Sequence, residues 1–167
     1  MSSLRDAINR VVRHYEKDPD GGASPDAPAV AVREGPLRMR VSGPNGDVIT
    51  DGAKSIGGDE SGPTPGWMLR AALASCNATV IAIEAAREGV ELTRLEVTVS
   101  SDTDLRGTLG VKDVPAGPVG THVRVVVASD TATEEQLREV AGRISRSPVG
   151  DAVSRPVPMT TEIVVAG

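Results

Sequence analysis

The chain has 167 residues, the size of a single domain, and carries a net charge of −5 with a pI near 5.1. An acidic chain with one Trp, one Tyr and no Phe lacks the basic surface and the stacking side chains that nucleic-acid binding requires. The single cysteine, Cys76, excludes an internal disulfide, and Arg5, Asp6 and Arg10 interrupt any N-terminal signal sequence. The longest uncharged run, residues 71–83, is too short to cross a bilayer. We therefore expect a cytoplasmic protein without a membrane partner.

The first 28 residues are predicted to be an appendage to the main domain, which we place at residues 29–167. Residues 3–17 have helical periodicity, and residues 18–28 are a linker rich in Pro, Gly and Asp. The helix carries one apolar stripe, consisting of Leu4, Ile8, Val11, Val12 and Tyr15. This stripe must dock either on the body of the same chain or on a partner.

Beyond residue 29 the apolar period changes to two, which predicts strands at residues 29–33, 37–41 and 47–50. The sequence Gly43-Pro44-Asn45-Gly46 between the last two strands is a typical hairpin turn. A long helix follows, with Thr64 as its N-cap, Pro65 in its first turn and Gly89 at its end. Its 24 residues would span about 36 Å, and alanines on all sides predict a central position.

The second half of the chain has two alternating valine-rich strands, at residues 95–99 and 123–127, joined by an irregular segment at 107–120. A capping box at Thr133 and Gln136 predicts a helix to about residue 144. Ser147 and Pro148 begin a short turn or helix, and residues 158–165 are predicted to form a closing strand. This order of elements predicts an α+β fold.

Cys76 is the one residue that offers evident chemistry. His14 and His122 lie on different elements, and one cysteine gives no ligand cluster, so neither a metal nor another cofactor is expected. Cys76 falls on an apolar helical stripe that would place it in the core, where a free cysteine is inert. A reactive thiol must instead be accessible and near positive charge, because only the thiolate attacks. Both interpretations remain open from spacing alone. The stripe consists of Leu69, Ala72, Leu73, Cys76, Val80 and Ile83.

The segment that ends at Cys76 resembles the OsmC/Ohr family, the osmotically induced and organic-hydroperoxide-resistance proteins. The matching residues are Gly57-Gly58, Gly62-Pro63-Thr64-Pro65, Leu69, Ala71-Ala72-Leu73 and Cys76. The likeness extends over about residues 37–165. It implies an α+β fold with antiparallel sheets around a long central cysteine-bearing helix, in an intertwined homodimer with sites at the subunit interface.

The resemblance also implies site residues. Cys76 matches the cysteine that attacks the peroxide, whereas Ser147 stands where a second, resolving cysteine falls, and a serine hydroxyl forms no disulfide. The family's carboxylate at the start of the helix is replaced here by Gly66 and Trp67. The family's activating arginine comes from the N-terminal strands, where Arg38 and Arg40 are candidates and Arg40 is preferred. Exposed strand positions would explain both arginines equally well.

Trp67 is expected to cap the core, or else to line an apolar pocket at the interface. The function that the resemblance implies is a one-cysteine organic hydroperoxide reductase that needs an external thiol and no cofactor. One alternative is a non-catalytic protein that binds an apolar small molecule at the dimer interface. Another is a stress-associated dimer whose N-terminal helix docks a partner.

Overall fold

The computed structural model describes residues 3–167 and has the α+β organisation expected from the sequence, with antiparallel sheets and one long helix. The helices and strands are α1 (Leu4–Lys17), β1 (Val30–Arg33), β2 (Met39–Gly43), β3 (Gly46–Thr50), α2 (Pro65–Glu88), β4 (Arg94–Asp102), α3 (Leu105–Thr108), β5 (Gly120–Ala128), α4 (Glu134–Gly142) and α5 (Pro148–Ser154). Two 3₁₀ turns lie at Lys54–Ile56 and Arg143–Arg146. Strands β1, β2 and β3 form one antiparallel sheet, and β4 and β5 form another.

The N-terminal sheet is a meander in which Val41 of β2 lies opposite Ala31 of β1 and Val48 of β3. The predicted hairpin closes between β2 and β3, where Gly46 has a φ of 130°, a backbone conformation that favours glycine. All four residues of β1 are exposed. Among the described residues, this sheet makes no extensive contact with any helix or with the β4–β5 sheet.

Helix α2 begins and ends at the residues that its sequence signals predicted. The Trp67 backbone N–H donates to Thr64 Oγ1 at 3.2 Å, Pro65 occupies the first turn, and Gly89 ends the helix with a φ of 71°. By length and composition α2 would also suffice to cross a membrane, but helices that fill the centre of a water-soluble fold meet the same criterion. Here α2 packs against β4, α1 and α5.

The core lies between the second half of α2 and the β4–β5 sheet. Ile81 and Ala85 of α2 and Val140 of α4 are buried together. Half-buried side chains from the inner face of the sheet surround them, namely Leu95, Val97, Val125 and Val127. The alternation of half-buried and exposed residues along β4 explains the period of two in its sequence.

The buried face of α2 differs from the apolar stripe that the sequence predicted. The buried residues are Leu73, Asn77, Ile81, Glu84 and Ala85. Only Leu73 belongs to both sets, because the polar residues Asn77 and Glu84 stand among the buried positions. Cys76 lies about 100° around the helix from Asn77 and is half-buried. The placement of Cys76 in the core is therefore wrong for this chain.

The closing strand predicted at residues 158–165 is also wrong. Residues 156–167 have no regular secondary structure and are exposed, with Met159 and Val165 each 88% exposed. A strand forms only when its backbone groups pair with a neighbouring edge, and these residues pair with no edge among those described. The irregular segment predicted at 107–120 is correct in outline, although its start overlaps the single-turn helix α3.

Helix α1 docks on the body of its own chain, where it packs against α2 and places Arg5 beside Gly89. Ser3 and Asp6 form a capping box at its start. Ile8 and Val12 are half-buried, whereas the rest of the apolar stripe remains exposed. The domain boundary at residue 28 stays a prediction.

Replacing Ile81 with alanine tests the position of the core. Ile81 is fully buried, so Ile81→Ala should lower the free energy of unfolding by about 2–5 kcal/mol. The exposed Val111 offers a control, for which Val111→Ala should change it by less than about 0.5 kcal/mol. Urea unfolding followed by circular dichroism measures both. Equal effects of the two substitutions would contradict this core.

Candidate functional site

Cys76 is a free thiol on the fourth turn of α2, near the middle of the helix, and it is partly buried. Within residues 3–167 no side chain makes a hydrogen bond or an ion pair with it. Its helix is fixed at both ends by the caps at Thr64 and Gly89, which also fixes the position of the sulfur. Among residues 3–167, Cys76 is thus partly buried, and no side-chain cation donates a hydrogen bond to its sulfur.

The two candidate arginines lie on and beside the N-terminal sheet, each with polar partners there. Arg40 Nε donates to Glu34 Oε1 at 2.6 Å, and its Nη1 donates to Asp47 Oδ2 at 3.2 Å. These bonds raise the pKa of Arg40 above its ordinary value. Arg38 Nη1 donates to Ser61 Oγ at 2.6 Å. In the described chain neither arginine contacts Cys76, and a role for Arg40 at the thiol stays a prediction.

Asp51 organises the loop that leads from β3 into α2, and the sequence interpretation missed it. Only 1% of Asp51 is exposed. Its Oδ2 accepts from the Ser61 hydroxyl at 2.7 Å and from the backbone N–H groups of Ser61 and Asp59 at 3.1 and 3.2 Å. Its Oδ1 accepts from the Gly52 N–H at 2.8 Å. One buried carboxylate thus gathers four hydrogen bonds from across a ten-residue loop.

This hydrogen bonding explains the glycines before α2. A Cβ on Gly58 or Gly62 would collide with the backbone oxygen of Gly52 or Ile49. The loop is therefore packed backbone against backbone around Asp51. The Ser61 hydroxyl, followed by the backbone N–H groups, lowers the pKa of the Asp51 carboxyl below its ordinary value of 3.8. In the sequence, only a lone Asp followed by a glycine-rich segment could have signalled this arrangement.

Ser147 is fully buried and acts as the N-cap of α5. Its Oγ accepts from the Gly150 N–H at 3.1 Å, so the prediction that a short turn or helix begins here is confirmed. The preceding residue, Arg146, donates to Glu84 Oε1 at 2.9 Å, and Arg87 donates to the same oxygen at 2.9 Å. This ion-pair cluster ties the Ser147 segment to α2, and the sequence interpretation did not identify it.

Trp67 does not cap the core of this chain, contrary to one of the two expectations for it. Its side chain sits in the first turn of α2 and is 50% exposed. The core forms at the opposite end of the helix, around Ile81, and this explains the difference. A role in lining an interface pocket stays a prediction. No group of three metal-binding side chains is found in the part of the chain that the structure describes.

Comparison with known families decides where this architecture belongs. The profile of the family described as OsmC-like protein matches residues 57–162, which is more than half of the chain. The chain belongs to the OsmC-like family. The match includes the Asp59–Ser61 loop, helix α2 with Cys76, and the Ser147 segment.

Solved structures share the OsmC-like fold at low sequence identity. An OsmC-like protein from Mycoplasma pneumoniae has a TM-score of 0.66 at 17% identity, over 79% of this chain and 89% of that one. An organic hydroperoxide resistance protein from Legionella pneumophila has a TM-score of 0.56 at 15% identity, over 78% and 90%. One from Bacillus subtilis has a TM-score of 0.52 at 20% identity, over 78% and 92%. No curated protein matches the chain.

Asp51→Asn should lower the melting temperature at neutral pH, because an amide replaces a carboxylate that accepts four hydrogen bonds. The folded-state pKa of Asp51 is lowered. Its stabilisation is therefore present above its ordinary value and is lost as the pH falls through the lowered one. The gap in melting temperature between wild type and variant should accordingly narrow between about pH 5 and pH 2.

Differential scanning fluorimetry across this pH range measures that gap. Asp113 lies in an exposed loop, so Asp113→Asn serves as the matched control and should follow the wild type at every pH. A gap for Asp51→Asn that stays constant from neutral to acidic pH would contradict the proposed charge state.

Proposed function

We propose that this OsmC-like protein reduces organic hydroperoxides with Cys76 as the nucleophile. The observation that carries the proposal is the partly buried Cys76 on α2, whose thiol makes no side-chain hydrogen bond among the described residues, in a fold shared with proteins described as organic hydroperoxide resistance proteins. A residue sealed in hydrocarbon would be unable to meet a substrate, whereas Cys76 keeps part of its surface exposed.

The first step forms one bond and breaks one. The Cys76 thiolate attacks the outer oxygen of the hydroperoxide ROOH, the O–O bond breaks, and the leaving alkoxide takes a proton to become the alcohol ROH. The sulfur is left as a sulfenic acid, oxidised by two electrons. No metal or organic cofactor takes part in this step.

Regeneration is proposed to use an external thiol. Cys76 is the only cysteine, and the Ser147 hydroxyl is occupied in capping α5. An external thiol R′SH attacks the sulfenic sulfur and releases water, which leaves a mixed disulfide. A second R′SH then frees Cys76 and departs as R′SSR′. The cycle is that of a one-cysteine peroxidase, in which the reductant supplies both electrons.

A homodimer is proposed as the working unit, and uncovered surfaces of the single chain support it. A three-stranded sheet needs cover on at least one face, yet the N-terminal sheet has no extensive contact with other elements in the described chain. Val30 and Val32 of β1 are exposed, as are Ile163 and Val165 of the C-terminal segment. A second copy would bury these side chains.

The reactivity of Cys76 is tested by mass spectrometry after treatment with cumene hydroperoxide and dimedone, a reagent that labels sulfenic acids. We expect dimedone on Cys76 in the wild type and none on Cys76→Ser. Dimedone is needed because the four methionines can also gain one oxygen each. Ser147→Ala is the matched control, because it removes the α5 cap but leaves the thiol, and it should still be labelled. A wild type without label on Cys76 would overturn the proposed reaction.

The homodimer is tested by light scattering, which should give twice the 17.2 kDa of one chain. Placing two charges in the C-terminal segment, as Ile163→Asp with Val165→Asp, should lower this mass toward that of a single chain. Leu109 and Val111 are also exposed, at 58% and 69%, but lie in the loop between β4 and β5. Leu109→Asp with Val111→Asp should therefore keep the wild-type mass. A wild type with the mass of one chain would contradict the homodimer.

A further inference from the structure

A surface cavity of about 240 Å³ lies between the first half of α2, the end of β4 and the start of β5. It adjoins a wider cavity of about 480 Å³ between α2, β5 and α5, and the two share Leu73, Thr121 and Val153. Cys76 lines neither of these cavities. The smaller cavity is therefore a separate place on the molecule from the thiol.

Arg70 brings to the smaller cavity a positive charge that has no carboxylate partner in the described chain. Its Nη1 donates to Ser101 Oγ at 3.2 Å, and among residues 3–167 no carboxylate lies within ion-pair distance of the guanidinium. Gly66, one turn earlier on α2, has no side chain to cover this group, since a Cβ there would lie 4.0 Å from Nη1. A half-buried guanidinium with only a neutral partner is suited to bind an anion.

Two hydroxyl groups line the same cavity and can also donate to an anion. Ser101 and Thr121 lie directly opposite each other in the β4–β5 ladder, so their side chains share one face of the sheet. Ser101 Oγ accepts from Arg70, which leaves the hydroxyl hydrogen of Ser101 available. Within residues 3–167 the Thr121 hydroxyl makes no hydrogen bond. One charged and two neutral donors therefore meet at this cavity.

The other walls of the cavity are apolar, and among the described residues that line it none is acidic. Leu73, Val99 and Val119 form much of this surface. Asp102 follows Ser101 in β4 and so lies on the opposite face of the strand. An inorganic anion would lose its hydration against the apolar walls without compensation. The cavity is better suited to an organic acid that has a hydrocarbon body.

The volume of the cavity limits the ligand to a small molecule. At about 30 Å³ for each group the size of a water molecule, a cavity of about 240 Å³ holds about eight non-hydrogen atoms. Two oxygens and about six carbon atoms make up this number. Among the described residues that line the cavity Arg70 is the one cation, so the second charge of a dicarboxylate would stay unpaired against an apolar wall.

From these groups we infer that the cavity binds a monocarboxylate of about six carbon atoms. Its carboxylate accepts hydrogen bonds from Arg70, Ser101 and Thr121. Its hydrocarbon chain lies against Leu73 and Val99.

This binding site is independent of the thiol chemistry proposed above, because Cys76 does not line the cavity. Cys76→Ser should therefore bind the acid like the wild type. Dimedone labelling of Cys76 and binding of the acid are consequently separate measurements, and either proposal can fail without the other.

The probe is hexanoate, titrated into the full-length protein and followed by heteronuclear NMR, which reports both the affinity and the backbone amides that respond. We expect the largest shifts at residues 99–101 and 119–121, which line the cavity. Acetate keeps the carboxylate but lacks the chain, so it should bind at least about tenfold more weakly. Hexanamide keeps the shape but lacks the charge, and it should also bind about tenfold more weakly. Inorganic phosphate should bind no more tightly than acetate.

Variants of the donors test the position of the carboxylate. Arg70→Gln should weaken hexanoate binding about tenfold. Thr121→Val, a near-isosteric change, should weaken it about fivefold, because it removes one neutral donor. Arg138 on α4 is exposed, pairs with Glu134 and does not line the cavity. Arg138→Gln is therefore the matched control and should bind like the wild type.

Three results would each overturn the inference. The first is the absence of shifts at about 10 mM hexanoate, near the weakest affinity expected of eight well-placed atoms. The second is an affinity for acetate, hexanamide or phosphate equal to that for hexanoate. The third is unchanged binding by Arg70→Gln. The first two need no variant and so do not depend on the folding of a mutant.

Discussion

The carboxylate of Asp51 fixes the point at which the N-terminal sheet ends and the path to α2 begins. It holds Gly52, Asp59 and Ser61 together through four hydrogen bonds. The Ser61 hydroxyl also accepts a hydrogen bond from Arg38. Three residues after Ser61, Thr64 caps the helix. The direction of α2 therefore follows from this carboxylate. Every candidate functional group on that helix depends on the same direction.

Helix α2 serves a different purpose on each of its faces. Ile81 and Ala85 fill the core against the β4–β5 sheet, while Glu84 binds Arg87 and Arg146 and so holds the segment around Ser147. A second stripe, with Arg70 and Leu73, lines surface cavities beside β5, and Cys76 lines neither of these cavities. Seven of the 24 residues of α2 are alanine, and these small side chains allow close packing without adding chemistry of their own.

The sequence predicted helix ends correctly where the residues that form the cap lie within a few positions of each other. The N-cap at Thr64, the terminating glycine at Gly89 and the capping box at Thr133 act within a few residues of themselves, so each was visible in the sequence. The period of two in β4 and β5 was visible for the same reason. The family pattern around Cys76 gave the fold class correctly.

What the sequence did not reveal depends on residues that are distant in the chain. Asp51 accepts hydrogen bonds from a loop that folds back over it. Glu84 accepts one from Arg146, which lies 62 residues further along the chain. Asn77 and Glu84 broke the apolar pattern of α2, which shifted the expected core face onto Cys76. Residues 158–165 have the alternation of a strand, but no edge among the described residues pairs with them. Ser147 was interpreted only as the replacement of a resolving cysteine, whereas its hydroxyl accepts a hydrogen bond from the Gly150 N–H and so caps α5.

The exposed indole at the start of α2 has a practical consequence for anyone who studies this protein in solution. Trp67 is the sole tryptophan, and the one tyrosine, Tyr15, absorbs at shorter wavelength. Excitation at the red edge of the aromatic band therefore excites a single fluorophore. Because the residue is 50% exposed, its emission wavelength and its accessibility to quenchers report on one place, the first turn of α2. The protein thus carries an intrinsic optical reporter at the start of its longest helix.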